Sequence, residues 1–119
     1  MIKKIVVSEL FTNALTEGNG LILRNKIEEF LKDMSEGDVI NVDFSNITLF
    51  ATPFFNSSIG YFILNLGPEK VSKIITLENI SELGTNTYKH SLDNASEIYK
   101  KKTDTSSVGN ITQNNIENS

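Results

Sequence analysis

The residues best placed to do chemistry follow a short apolar strand in the middle of the chain. Residues 39–44 read as a buried strand, with the carboxylate of Asp43 near its end. Thr52 and Pro53 then signal a helix start, because hydroxyl residues favour the N-cap and proline favours the first helical position. A carboxylate at a strand end can be a ligand or a general base, but it commonly accepts hydrogen bonds from the next turn. We expect this turn role for Asp43 and an N-cap role for Thr52.

A second group of residues could bind an anion. Gly18, Asn19 and Gly20 precede an amphipathic segment and read as the end of a loop. Arg24 follows close behind, where its guanidinium could hold a phosphate or carboxylate through two hydrogen bonds, or could pair with Asp43. The loop lacks the glycine and lysine pattern of a phosphate-binding P-loop. The segment predicts an anion site at Gly18, Gly20 and Arg24 or a salt bridge between Arg24 and Asp43, and of the two we expect the salt bridge.

Catalytic groups are scarce in this sequence. The chain has no cysteine, which excludes disulfides, thiolate metal sites and cysteine nucleophiles, and it has a single histidine. That residue, His90, has no partner for a triad or a metal site, so we expect a solvated helix residue. No pair of carboxylates stands at a catalytic spacing. We therefore expect a protein that is not an enzyme and needs neither a cofactor nor a metal.

Length and charge limit the classes of partner. A chain of 119 residues with 39% hydrophobic residues can form one domain with a modest core. Its 11 basic and 15 acidic residues give a net charge of -4, which disfavours nucleic acid and anionic lipid as partners. The apolar stretch near Met1 is too short for a signal peptide, and no run approaches the roughly 20 apolar residues of a membrane span. We expect a cytoplasmic protein that does not contact membranes.

Hydrophobic periodicity predicts alternating strands and helices. The predicted elements are strand 2–7, a helix from residue 21, strand 39–44, helix 53–66, strand 73–77 and a helix capped by Asn79 or Ser81. This order is typical of an α/β fold whose sheet has a parallel part. From residue 103 the chain becomes rich in Asn and Ser, so we predict a domain over 1–102 and a disordered tail over 103–119.

The second predicted helix carries more apolar residues than one buried stripe can use. Residues 55, 59, 62, 63 and 66 form the stripe, which leaves Phe54, Tyr61 and Leu64 outside it. Such a helix is either packed on two sides or presents apolar surface to a partner.

Three stretches of the sequence resemble the bacterial STAS-like domains of unknown function. They are Gly20 to Arg24, Asp43-Phe44-Ser45 and Thr52-Pro53-Phe54, and the resemblance covers roughly residues 15 to 80. These domains are related to the STAS domains of sulfate transporters and anti-sigma-factor antagonists. The resemblance implies a small single-domain α/β fold with a mixed sheet and helices mainly on one face. It also implies that Thr52 stands where a partner kinase phosphorylates a serine in the antagonists, a change that adds about -1.5 to -2 charges.

The function implied by this resemblance is regulation through protein binding. The expected partner is an ATPase of the histidine-kinase-like class, bound by the second helix and the loop before it. The residues predicted to form the contact surface are Phe50, Thr52, Phe54, Phe55, Ser58 and Tyr61. On this hypothesis, Phe54→Asp abolishes partner binding and leaves unfolding nearly unchanged.

Two other functions remain open at the level of sequence. One is a small-ligand sensor that holds a nucleotide or anion between residues 18–20, Arg24 and the start of the second helix. The other is a subunit of a homo-oligomer, for example a homodimer. Its two copies would pair through the aromatic residues of that helix that lie outside the apolar stripe.

Overall fold

Three short strands form a parallel sheet in the order β1-β2-β3. The computed structural model describes residues 1–112, with the side chains of residues 1–103. The strands are β1 (Ile2–Val6), β2 (Val39–Asp43) and β3 (Ile75–Glu78). Both neighbouring pairs run parallel, so the prediction of a mixed sheet is wrong. Parallel pairing requires long crossovers, and helices supply them here.

The two faces of the sheet differ in polarity. Ile5 is paired with Val42, and Ile40 with Ile75, and all four side chains are buried. Alternate residues point to the other face. The residues on that face include Lys4, Asn41, Thr76 and Glu78, all exposed or half-buried. The placement of the helices mainly on one face stays a prediction.

Helices fill the connections between the strands. They are α1 (Glu17–Lys32), α2 (Thr52–Ser57), α3 (Ile59–Leu66), α4 (Pro68–Ile74) and α5 (Glu82–Thr112), and a short 3-10 turn spans Val7–Glu9. Over residues 1–112, none of these helices carries an apolar stretch long enough to cross a membrane. The third strand begins at Ile75, two residues later than predicted, because Pro68 starts a helix whose buried Val71 anchors it to the core.

Helix α1 begins earlier than its hydrophobic pattern indicates. Thr16 is the N-cap, and its hydroxyl accepts a hydrogen bond of 3.0 Å from the backbone N–H of Asn19. The predicted loop at residues 18–20 is therefore the first turn of the helix. The threonine cap satisfies the backbone N–H of Asn19, one of the donors that the first turn of a helix leaves unpaired, and this stabilisation offsets the poor helix propensity of the two glycines.

The predicted second helix is two helices, α2 and α3, separated at Ser58. Ser58 has backbone angles of φ -100 and ψ -98, outside the helical region. Its buried hydroxyl donates a 2.8 Å hydrogen bond to the carbonyl oxygen of Phe54. Serine side chains compete in this way for backbone groups and so favour breaks and bends in helices. Helix α3 ends before Gly67 and Pro68, as predicted, where Gly67 adopts a φ of 90.

Helix α2 packs between α1 and α5, so its two phenylalanines, Phe54 and Phe55, are enclosed. Helix α2 contacts both α1 and α5, and α3 contacts α5. Phe50 and Phe55 stack with ring centroids 6.1 Å apart, and Phe55 lies 5.3 Å from the ring of Tyr88 on α5. A polar link also joins these helices, since the buried Ser91 donates a 2.6 Å hydrogen bond to Asn56. Of the two predicted alternatives for this helix, packing on two sides is the observed one.

Helix α5 begins at a cap that the sequence indicates. The hydroxyl of Ser81 accepts a 3.1 Å hydrogen bond from the backbone N–H of Gly84. His90 is exposed on this helix, as predicted. The helical backbone continues to Thr112, through the predicted domain boundary at residue 102. Residues 113–119 of the predicted tail lie outside the described residues, and the disorder of the tail stays a prediction.

Candidate functional site

The three parallel strands bring their carboxyl ends to one edge of the sheet, where Asp43 connects them. One carboxylate oxygen accepts hydrogen bonds from the backbone N–H of Ser45 at 2.9 Å, from its hydroxyl at 2.7 Å and from the side chain of Asn79 at 3.1 Å. The other oxygen lies 3.3 Å from the ammonium of Lys4, which also lies 3.4 Å from Glu78. Asp43 therefore ties the end of β2 to both neighbouring strands.

These contacts shift the pKa of both Asp43 and Lys4. The hydroxyl and the N–H of Ser45, followed by the amide of Asn79, hold the pKa of Asp43 well below its ordinary value. The pKa of Lys4 is raised, chiefly by its hydrogen bond to Asp43. A carboxylate this strongly held in its ionised form is a poor general base. The predicted turn-forming role of Asp43 is confirmed.

Removing this carboxylate should weaken the fold in a pH-dependent way. We predict that Asp43→Ala lowers the free energy of unfolding at pH 7 by about 1.5 kcal/mol, within the range for hydrogen bonds to charged groups. A depressed folded-state pKa contributes stability above the unfolded-state value of about 4, and the contribution is lost as the pH falls toward the folded-state value. Urea unfolding of the wild type and the variant should therefore show a smaller gap at pH 3 than at pH 7.

A matched control is Asp93→Ala, which removes an exposed carboxylate from α5. Among the side chains of residues 1–103, Asp93 makes no ion pair or hydrogen bond, so its removal should change stability by less than about 0.5 kcal/mol. Equal stability of the wild type and Asp43→Ala at pH 7 would show that the contacts of Asp43 do not stabilise the strand ends.

Thr52 lies beside this edge as the first residue of α2, and not as its cap. The N-cap is Ala51, which makes no side-chain capping bond. The backbone N–H of Ala51 instead donates a 2.8 Å hydrogen bond to the carbonyl oxygen of Ala14. Backbone pairing with residue 14 thus fixes the entry into the helix, and the N-cap prediction for Thr52 is wrong. Thr52 is half-buried, and among the side chains of residues 1–103 its hydroxyl makes no hydrogen bond.

Most of the predicted contact surface is interior. Phe54, Phe55 and Ser58 have no exposed area, and Phe50 is 9% exposed. The prediction that these four residues bind a partner is wrong, because all four are buried and α1 and α5 cover both sides of α2, the helix of Phe54 and Phe55. The same packing removes the exposed aromatic face on which the homo-oligomer hypothesis depended.

Arg24 does not meet Asp43. Its guanidinium carbon lies 3.7 Å from the centre of the Tyr61 ring, a cation-π contact between α1 and α3. The carboxylate of Asp43 is paired with Lys4 instead. The predicted salt bridge is therefore wrong. Tyr61 is half-buried beneath the arginine, and its contact with a partner stays a prediction.

The predicted anion loop has another structural role. Residues 18–20 are helical, so their backbone N–H groups do not form a loop around a ligand. Gly20 is buried, and a side chain there would collide with Ser57 and with the carbonyl oxygen of Phe54. The hydroxyl of Ser57 donates a 2.9 Å hydrogen bond to the carbonyl oxygen of Glu17 across the same contact. Gly20 allows α1 to approach α2 closely, and the predicted anion site at residues 18, 20 and 24 is not formed.

The same edge of the molecule carries exposed leucines that the sequence did not single out. Leu49 is 55% exposed, Leu83 57% and Leu15 36%. Their segments touch: Ala14 donates a 2.9 Å backbone hydrogen bond to the carbonyl oxygen of Leu49. A side chain at Gly84, next to Leu83, would press on the ring of Phe50, next to Leu49. We call Leu15, Leu49 and Leu83 the leucine edge. Its members lie far apart in sequence, so periodicity could not group them.

Comparison with known proteins agrees with this fold. The family described as STAS-like domain of unknown function (DUF4325) matches residues 19–85, which is more than half of the chain. No curated protein and no solved structure matches the chain. The matched segment runs from the first turn of α1 to the first turn of α5 and includes β2, β3 and the helices between them. The chain belongs to the family of STAS-like domains of unknown function.

Proposed function

We propose that this domain is a non-enzymatic regulatory module that binds another protein through the leucine edge. The observation that carries the proposal is the exposure of three large apolar side chains on touching segments around the start of α2. Large apolar side chains exposed on neighbouring segments are typical of protein interfaces. The proposed partner is a histidine-kinase-like ATPase, by likeness to the anti-sigma-factor antagonists that share the STAS fold.

We further propose that phosphorylation of Thr52 switches this contact off. Thr52 follows directly on the segment that carries Leu49, and its hydroxyl is not engaged by the described side chains. A phosphate would add about -1.5 to -2 charges beside an apolar contact, which disrupts it by desolvation. Intact-mass measurement of protein purified from its native host should show a species heavier by one phosphate. Its absence under every growth condition would contradict the switch, but not the binding.

The binding proposal can be tested by a substitution that places one negative charge on the leucine edge. We predict that Leu49→Asp weakens binding at least tenfold, because an aspartate would have to be desolvated in an apolar contact. Affinity capture from lysate of the host, with and without ATP, should recover an ATP-binding protein on the wild-type domain. The dissociation constant of that purified protein should then be measured for the wild type and for each variant.

The matched control is Ile98→Asp, which places the same charge at a 45% exposed apolar position on α5, outside the leucine edge. It should bind the partner as the wild type does. Both variants alter exposed side chains and should keep the wild-type melting temperature within a few degrees. Equal affinity of the wild type and Leu49→Asp would contradict the leucine edge as the contact surface.

A further inference from the structure

A groove between α4 and the far part of α5 combines a positive rim with an apolar floor. Its volume is about 730 Å³, within the 300 to 1,000 Å³ common for small-ligand sites. Lys70 and Lys73 on α4 and Lys100 on α5 line it, with Glu69 as the one acidic residue of the lining. Three lysines against one glutamate make this groove positive in a protein whose net charge is -4.

Within the side chains that the structure describes, residues 1–103, none of the three lysines forms an ion pair. Among the side chains of residues 1–103, the ion pairs of lysine involve only Lys4 and Lys26. Lys70 and Lys73 are three residues apart on one helix, so they share a face and repel each other. An anion between them would relieve that repulsion.

The floor of the groove depends on a specific turn. Gly67 joins α3 to α4 with a φ of 90, in the left-handed region that favours glycine. The ring of Tyr99 packs directly on Gly67, where any side chain would lie about 2.8 Å from the ring. Leu66 and Pro68, on either side of the glycine, complete an apolar surface. A ligand with an apolar or aromatic part could therefore lie against Tyr99 while its anionic groups reach the lysines.

We propose that this groove, which the leucine edge does not include, binds a small ligand that carries several phosphate groups on an aromatic or apolar body. Lys70, Lys73 and Lys100 would hold the phosphates as point charges, and the surface formed by Leu66, Pro68 and Tyr99 would hold the body. Since the lysines are exposed, screening by salt weakens the contact, and affinity should fall as ionic strength rises.

Titration calorimetry with ATP and with inorganic triphosphate, both without metal, tests this assignment. We expect saturable binding of ATP by the wild type, at least tenfold weaker in the double variant Lys70→Gln/Lys73→Gln. Triphosphate should bind more weakly than ATP, because it lacks the body. If triphosphate binds as tightly as ATP, the role assigned to the floor is overturned.

The control variant must remove the same number of lysine charges from positions outside the groove. Lys89→Gln removes one from an exposed site on α5, 11 residues before Lys100 and so about 16 Å away along the helix. Paired with Lys32→Gln on α1, it changes the net charge by as much as the double variant does. This control pair should bind ATP within twofold of the wild type. Absence of ATP binding by the wild type, or equal weakening by both double variants, would overturn the proposal.

Discussion

Phe54→Asp is expected to unfold the domain. Phe54 has no exposed area, and its ring lies 5.1 Å from Phe55, 5.5 Å from Phe11 and 6.2 Å from Phe44. Truncating a buried phenylalanine alone costs about 3–5 kcal/mol. A buried carboxylate without a partner adds several more, against a total stability of about 5–15 kcal/mol for a domain. Circular dichroism should show no cooperative thermal transition near that of the wild type.

Two variants separate the two causes of the lost stability, which are the missing aromatic ring and the buried carboxylate. Phe54→Leu keeps the site apolar and should remain folded with a lower melting temperature, because it loses volume without burying a charge. Leu49→Asp introduces the same carboxylate at a side chain that is 55% exposed and should melt close to the wild type. If Phe54→Asp instead melts like the wild type, Phe54 lies on the surface and the interface predicted from sequence regains its basis.

Local signals predicted much of this fold because they depend on neighbours in sequence. The strand ending at Asp43 and the turn that Asp43 holds follow from a short apolar run and a polar pair after it. The helix end at Gly67 and the cap at Ser81 depend on single residues with strong positional preferences. Each involves atoms only a few residues apart, so the sequence alone contains the information.

The candidate site was harder to predict because its residues are placed by contacts distant in sequence. Phe54 and Phe55 point to different sides of one helix, and only the packing of α1 and α5 shows that both sides are covered. Arg24 could reach either a carboxylate or an aromatic ring, and the fold places the ring of Tyr61 on α3 within its reach. Likewise, Gly18 and Gly20 precede an amphipathic segment and predict a loop from sequence. Only the position of α2 shows that Gly20 is needed where two helices approach closely.

Gly20→Ala tests whether Gly20 lies at a helix contact and not in a loop. We expect this substitution to destabilise the protein, whereas glycine to alanine in a helix ordinarily stabilises it. Alanine is favoured over glycine inside a helix by about 1 kcal/mol, so the substitution would ordinarily stabilise the protein. At Gly20, however, the new methyl group would collide with the carbonyl oxygen of Phe54, a backbone atom that cannot rotate away. We predict a loss of about 3 kcal/mol in the free energy of unfolding, measured by urea denaturation, because α1 and α2 must separate.

Gly18→Ala is the matched control, two residues earlier in the same helical turn. Its new methyl group would find Thr16 Oγ1 at 3.9 Å as its nearest neighbour, an ordinary contact. This variant should therefore be more stable than the wild type by up to about 1 kcal/mol. A close contact between α1 and α2 at Gly20 requires that Gly20→Ala lower the free energy of unfolding and that Gly18→Ala raise it. In an anion-binding loop, both glycines would instead matter for the ligand and neither for stability. Stabilisation by both substitutions would mean that α1 and α2 do not approach at Gly20, and the packing that buries Phe54 would have to be reconsidered with it.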